Sequence, residues 1–526
     1  MSPLLVESQD AVIAFLSRRE AYGGAGPVER INTHISVIFM VGERAYKMKR
    51  AVCFDYVDYR ALDRREQFCR EEVRRNRRTA PDLYLGIVPV TIDATGALAL
   101  NGAGEPVEWL VEMRRFDQAN LFDRLVVAGR LDAPVMTRLA DCIHAFHLDA
   151  EILGDVAGAD AIRAVIDGNL AALRGPAAEA HDSALVDVLA TRSRDEWRKV
   201  APLLNQRGAA GAVRSCHGDL HLRNICLLDG EPTLFDGVEF NDAITSIDVL
   251  YDLAFLLMDL EHRGHRDWAN VVYNRYLAMS GAEAYVGLAA MPLFLSCRAA
   301  IRAHTTVAAA KAQSDSTAAA RLQDEARAYL DLAVRFLDPV APGLVAIGGL
   351  SGTGKSSVAA GLAPGLGRAP GAVLLRSDVT RKRLFAIGPE EPLTGDDAYS
   401  AETTRNVYDG VRAIAGVALS AGYSVIADAV YARPAERAAI EAVASQAEAP
   451  FQGLWLTAPG EVLHARVAAR SGDASDADAA VVRQQSGYDT GALTWAEIDA
   501  SQTMETTLNA ARAVIEASVA ASRDAR

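Results

Sequence analysis

The run Gly349-Leu350-Ser351-Gly352-Thr353-Gly354-Lys355-Ser356 leaves the surrounding chain little choice of fold. An apolar strand, 344–347, leads into it and a helix opens at Lys355. Its small residues let backbone N–H groups close on a phosphate, and the helix N-terminus adds a favourable dipole. Strand, loop and helix in that order demand a parallel sheet with helices against it. Further apolar strands at 372–375, 424–427 and 452–456 alternate with helices near 355–363, 379–386, 400–421, 434–445 and 460–470, which predicts a sheet covered on both faces. Gly349, Ser351, Gly352, Thr353, Gly354, Lys355, Ser356 and Ser357 are the candidate nucleotide-binding residues. Lys355 is placed to reach the β- and γ-phosphates and Ser356 to coordinate Mg²⁺.

The rest of this region supplies partners. Asp428 follows the strand 424–427, the place of a second carboxylate organising Mg²⁺. Asp378, just beyond the strand 372–375, is a candidate for holding or deprotonating an acceptor hydroxyl; a helix N-cap explains it equally well. Arg466 and Arg470 precede a polar stretch, 471–478, that reads as a lid whose arginines stabilise charge on a transferring phosphate, or as a surface arginine cluster.

A second constellation lies upstream. His217-Gly218-Asp219-Leu220-His221-Leu222-Arg223-Asn224 is followed by strands at 225–228 and 232–235 joined at Asp229-Gly230, a hairpin that returns the chain to Asp236. Phosphoryl transfer needs an oriented hydroxyl and neutralised phosphate charge. Asp219 is the candidate base, Asn224 and Asp236 the candidate Mg²⁺ ligands. Before them come strands at 33–41 and 44–48, joined at Gly42-Glu43, a charged helix at 61–79, and strands at 81–91 and 107–112. Lys47 on the second strand can hold the α- and β-phosphates, with Lys49 on the same face as its rival; Glu72 can pair with that lysine, with Glu71 as the alternative. From 121 to 337 the pattern is mostly helical.

At 526 residues the chain needs more than one hydrophobic core. The Pro/Gly segment at 338–343 marks the boundary, giving residues 1–338, a linker at 339–343, and residues 344–526. A formal charge of −14 argues against nucleic acid or an anionic membrane as the main partner. The six cysteines are scattered without a C-x-x-C pair, as expected of reduced thiols in a cytoplasmic protein. The apolar span 247–260 is interrupted by Asp248, Asp252 and Asp259 and is too short to cross a bilayer. The N-terminus reads as an acidic amphipathic helix over 4–18, without the basic start of a signal peptide. Only six residues are lysine (Lys47, Lys49, Lys199, Lys311, Lys355 and Lys382) against 48 arginines. Three of the six fall where phosphate chemistry needs a compact ammonium that an arginine fork does not replace.

Residues 28–310 resemble the aminoglycoside phosphotransferase family, the small-molecule branch of the protein-kinase-like fold, through the His217–Asn224 run, Leu234-Phe235-Asp236 and the helix carrying Asp248 and Asp252. The resemblance implies a two-lobed α+β fold, nucleotide near Glu112-Met113, and a hydroxyl-bearing small molecule as acceptor. One departure is that Asn32-Thr33-His34-Ile35-Ser36 stands where a glycine-rich loop would precede Lys47. Arg298, Arg302 and His304 form a basic stripe that reads as a hold for an anionic acceptor or as salt bridging on a helix face. Residues 344–526 resemble small P-loop kinases of the gluconate-kinase, shikimate-kinase and zeta-toxin type, through residues 349–356, Leu375-Arg376-Ser377-Asp378 with Arg381, Val425-Ile426-Ala427-Asp428-Ala429, and Arg466 and Arg470 with Ser475-Asp476-Ala477. The whole chain resembles bacterial fusions of these two kinds of domain. The resemblance names chemistry and not substrate, a bifunctional kinase using ATP and Mg²⁺; the expected acceptor is a hydroxyl of a small metabolite such as a sugar or cyclitol. Its alternatives are a single activity whose second nucleotide-binding domain is regulatory, and a zeta-toxin-like kinase acting on a nucleotide-sugar.

Overall fold

The structure is a computed structural model, and it describes residues 8–54, 57–154, 158–393, 395–468, 475, 479–485 and 487–524. It carries the expected fold: a protein-kinase-like α+β part followed by an α/β P-loop domain with a parallel sheet. Contacts divide the chain into two compact units, Met1–Ala161 with Gly208–Leu256, and Ile162–Arg207 with Leu257–Arg526.

In the first unit a six-stranded antiparallel sheet runs in the order Glu29–Asn32, Ser36–Val41, Arg44–Lys49, Glu105–Arg114, Tyr84–Ile92 and Leu98–Leu100. The expected hairpin is present: Val41 pairs with Arg44 across Gly42, whose φ of +54° suits glycine. Alternation sends Val37, Phe39, Met48, Val90 and Leu110 to one face, packed under the helix Asp10–Leu16. Met40, Val111 and Met113 go to the other, packed with Cys69 and Val73 of the helix Leu62–Asn76. Two edge strands, Glu29–Asn32 and Leu98–Leu100, were not anticipated from the sequence. The return hairpin Ile225–Leu228 and Glu231–Leu234 turns at Asp229 and Gly230, both with positive φ as a tight hairpin turn requires.

The second unit contains the antiparallel helices Met291–Lys311 and Ser316–Arg335 and the parallel sheet. Its five strands lie in the order Val373–Arg376, Val425–Asp428, Leu344–Gly348, Phe451–Thr457 and Ala496–Asp499. The first strand in sequence is therefore central, buried at every position. Val345, Ile347, Ile426, Leu454 and Leu456 form the core with Val358 and Leu362 of the helix Lys355–Leu362 and Ala511 and Ile515 of the helix Met504–Asp524. The Pro/Gly segment at 338–343 lies inside this unit: helix gives way to parallel sheet there, but contacts do not part the two. Among the described residues one helical stretch, Ala282–Lys311, is long and apolar enough to cross a membrane by length and composition, and 78% of its apolar window is buried within the protein.

Candidate functional site

In the first unit the strand Arg44–Lys49 presents Lys47 and Lys49 to the helix Leu62–Asn76, where both meet Glu72. Lys47 Nζ donates to Glu72 Oε1 at 2.8 Å and to Asp236 Oδ1 at 2.5 Å. Lys49 Nζ donates to Glu72 Oε2 at 2.7 Å and to Glu239, which also accepts from Tyr59 Oη at 2.7 Å. The two lysines thus divide the work that the sequence left open. Lys47 reaches the candidate metal carboxylate, while Lys49 is only 1% exposed and is committed to a buried charge cluster. Glu71 turns away to Arg74 and Arg75. Burial opposes the charge on Lys47, but the carboxylates of Asp236 and Glu72 overcome it and hold the ammonium well above its usual pKa. Burial likewise opposes the charge on Glu72, and the two lysines reverse that, lowering its pKa to about 2.

The loop after Cys216 places Asp219 and Asn224 together: Asn224 Nδ2 donates to Asp219 Oδ2 and to its backbone carbonyl, each at 2.9 Å. Asp219 keeps 40% of its side chain exposed, and His221 Nε2 stands 3.4 Å from its carboxylate. Asp236 has a φ of +59°, and its backbone N–H donates to Tyr84 Oη at 3.0 Å. Asp252 fixes the loop from below, accepting from the N–H groups of His217 at 3.0 Å and Gly218 at 2.9 Å, with His147 Nε2 at 3.1 Å. Sequence reasoning gave no role to Asp252 or Tyr84. A signal for Asp252 is the acid interrupting an otherwise apolar helix. The Mg²⁺ candidates fit a hard cation chemically, since Asp236 offers a partly exposed carboxylate and Asn224 an amide oxygen.

In the second unit the loop at residues 349–356 is shaped by backbone needs. Gly349 (φ +140°) and Gly352 (φ +89°) have no room for a side chain; a Cβ would lie 2.6 Å from the carbonyl oxygen of Leu456 and 2.8 Å from that of Leu463. Gly354 (φ +86°) caps the helix Lys355–Leu362. Thr353 Oγ1 and Lys355 Nζ donate to the Leu350 carbonyl, and Ser351 N–H donates to Gln485 Oε1. Ser356 Oγ donates to Asp428 Oδ2 at 2.6 Å. This pair of hard oxygen donors suits Mg²⁺. Burial raises the Asp428 pKa, a rise partly offset by Lys355, Arg376 and the Ser356 hydrogen bond.

Ser351, Gly352, Gly354, Lys355, Ser356 and Ser357 line a cleft of about 1380 Å³ together with Asp378, Arg381, Asp428 and Arg466. Asp378 sits in the first turn of the helix Ser377–Leu384, whose N-cap is Arg376, so it is not itself the cap. Arg381 is buried and donates to the Ala398 carbonyl at 2.7 Å. Arg466 Nη2 donates to the Gln502 carbonyl at 3.3 Å. Arg470 and most of the stretch 471–478 lie outside the described residues. The stripe of Arg298, Arg302 and His304 is built into the helical packing: Arg298 is buried, Arg302 lies 5.4 Å over the Tyr329 ring, and His304 Nε2 is 3.2 Å from Asn169 Oδ1. Burial lowers the His304 pKa to about 4, which suits a neutral packing residue rather than a cationic hold for an anion.

The family described as AAA domain matches residues 344–488. Among solved structures, the chain is similar to a sugar kinase of Janibacter sp. HTCC2649 (22% identity, 33% of this chain and 95% of that one, TM-score 0.25). It is also similar to a choline/ethanolamine kinase family protein of Mesorhizobium loti (15% identity, 62% of this chain and 99% of that one, TM-score 0.35). A third is the ADP-bound aminoglycoside phosphotransferase APH(2'')-Ib (10% identity, 59% of this chain and 98% of that one, TM-score 0.31). Over 472 residues it is 30% identical to Uncharacterized protein Rv2004c of Mycobacterium tuberculosis and to Uncharacterized protein Mb2027c of Mycobacterium bovis, covering 87% of this chain and 90% of each of those. The chain belongs to the family of these mycobacterial proteins.

Proposed function

We propose that the chain is an ATP-dependent phosphotransferase with two ATP·Mg²⁺ sites, moving a γ-phosphate to a hydroxyl of a small metabolite such as a sugar or cyclitol. The observation that carries this reading is that each loop has its own lysine and its own carboxylate: Lys47 against Asp236, and Lys355 beside the Ser356–Asp428 pair. In the kinase-like domain, residues 1–338, Asp219 accepts the hydroxyl proton, Lys47 holds phosphate, and Glu72 orients Lys47. Asn224 and Asp236 would hold Mg²⁺. In the P-loop domain, residues 344–526, backbone N–H groups and Lys355 hold phosphate, Asp378 takes the acceptor hydroxyl, and Arg466 and Arg470 meet developing charge. Ser356 and Asp428 would hold Mg²⁺. The metal, when bound, neutralises phosphate charge. The segment 339–343 is the linker between the domains.

The test is an acceptor screen coupled to ADP release on the wild type, Asp219→Asn and Lys355→Ala. Each variant should remove one site's turnover, by about 10²–10⁴-fold for loss of the base Asp219. If neither changes ATP consumption, the reading is wrong. Mass spectrometry of the product separates two catalytic sites from one catalytic and one regulatory, since a regulatory site adds no second phosphate.

A further inference from the structure

The strand Val373–Arg376 lies at the edge of the parallel sheet, with its inner side paired to Val425–Asp428. Along a strand, alternate residues turn their N–H and C=O to the same side, so Ala372 and Leu374 point outward, where an edge strand lacks a neighbour. The helix Arg266–Met279 covers that side, and its side chains replace the missing strand. Asn274 Oδ1 accepts from Leu374 N–H at 2.7 Å, while its Nδ2 donates to the Ala372 carbonyl at 3.1 Å. One amide thus meets the two backbone groups that a neighbouring strand would meet. Asn270, one turn earlier and 2% exposed, donates to the Ala372 and Pro370 carbonyls at 3.2 and 3.1 Å. The two asparagines are tied to each other, Asn274 Nδ2 to Asn270 Oδ1 at 3.0 Å. Gly371 is shaped to this contact: a Cβ there would lie 2.7 Å from Asn270 Nδ2.

Two residues beyond Leu374, about 7 Å along the strand, stands Arg376, whose Nε is 3.7 Å from Asp428 Oδ2. Ser377 and Asp378 follow at once and line the phosphate cleft. The clamped segment and the acceptor side of the cleft are therefore one short, continuous piece of backbone.

We propose that Asn270 and Asn274 are positioning residues for the P-loop site: the helix Arg266–Met279 completes the sheet edge and thereby fixes where Arg376 and Asp378 stand. The proposal rests on the phosphotransfer reading of that site. It makes the P-loop domain dependent on helices that precede the linker, which gives the fusion a structural reason.

The test uses the full chain carrying Asn274→Leu, which removes both amide contacts at similar volume, and Asn274→Asp, which keeps an acceptor for Leu374 N–H and loses the donor. In Asn274→Leu, hydrogen exchange at Leu374 should quicken about five- to tenfold and the change should run on through the helix Ser377–Leu384, leaving residues 344–362 unaltered. Asn274→Asp should keep the protection of Leu374 itself. With the Asp219 site silenced by Asp219→Asn, kcat/KM for an acceptor found in the screen should fall at least about tenfold, with Mg·ATP affinity measured by calorimetry held within about twofold. Exchange unchanged from Leu374 to Leu384 overturns the proposal. So does a loss of ATP affinity that tracks a general fall in stability, because that is a merely structural role. Turnover insensitive to Lys355→Ala would sink the phosphotransfer reading instead, and the exchange arm, which needs no turnover, would then decide the clamp alone.

Discussion

In the loop at residues 349–356 the candidate phosphate-binding groups come from neighbouring positions, whereas Lys47 and Asp236 meet across a sequence separation of 189. The first arrangement depends on backbone shape: positive φ at Gly349, Gly352 and Gly354, and close approach to the Leu456 and Leu463 carbonyls. The second depends on side-chain charge gathered by tertiary folding, with two lysines sharing one buried glutamate. A local backbone device is damaged by adding atoms. A gathered charge cluster is damaged by removing one partner, because the rest stay buried without compensation. The two sites should therefore fail in different ways.

The largest expected effect is at the charge cluster. Lys49→Met leaves Glu239 and one oxygen of Glu72 buried without their cation and should cost about 3–5 kcal/mol in chemical denaturation. A loss below about 1 kcal/mol would break the contrast. Next comes Gly352→Ala, where the Cβ would press on the Leu463 carbonyl at a φ of +89°. The strain should cost about 1–3 kcal/mol, and the displaced loop should weaken ATP binding at this site alone, read by calorimetry in the Asp219→Asn background. Unchanged ATP affinity would show that the loop tolerates what its geometry forbids. The third signal is in acid, with the smallest effect at its control. The Glu72 pKa is depressed in the folded state, so its stabilising contribution is full above 4.5 and is lost as pH falls toward about 2. Wild-type stability should drop across that window more steeply than that of Glu72→Gln. Glu71→Gln, which removes a more exposed partner of Arg74 and Arg75, should shift stability by no more than about 1 kcal/mol. Equal slopes for wild type and Glu72→Gln would remove Glu72 from the cluster's account.

The same difference explains what could be read from sequence. The phosphate loop, its flanking strand and helix, and Asp428 were legible because local order encodes them. Asp219, Asn224 and Asp236 were legible because a five-residue loop and a tight hairpin bring them near one another. Lys47 against Lys49 was not legible, because residues two apart on a strand share a face; only the approach of Asp236 and Glu239 tells them apart. Glu72 against Glu71 turned on which side of one helix met the sheet. The edge strands Glu29–Asn32 and Ala496–Asp499 escaped notice because each buries little and carries polar residues. The Asn274–Leu374 contact joins residues 100 positions apart with no local pattern at either end.

The scarcity of lysine has a practical consequence. Lys199 and Lys311 are exposed, Lys49 and Lys382 are buried, and Lys47 and Lys355 lie between. A reagent that modifies primary amines in the native protein meets an almost amine-free arginine surface. Its reaction at Lys47 and at Lys355 falls on peptides far apart in the chain, so one digest can report the accessibility of the two lysines separately, with Lys199 and Lys311 as internal standards.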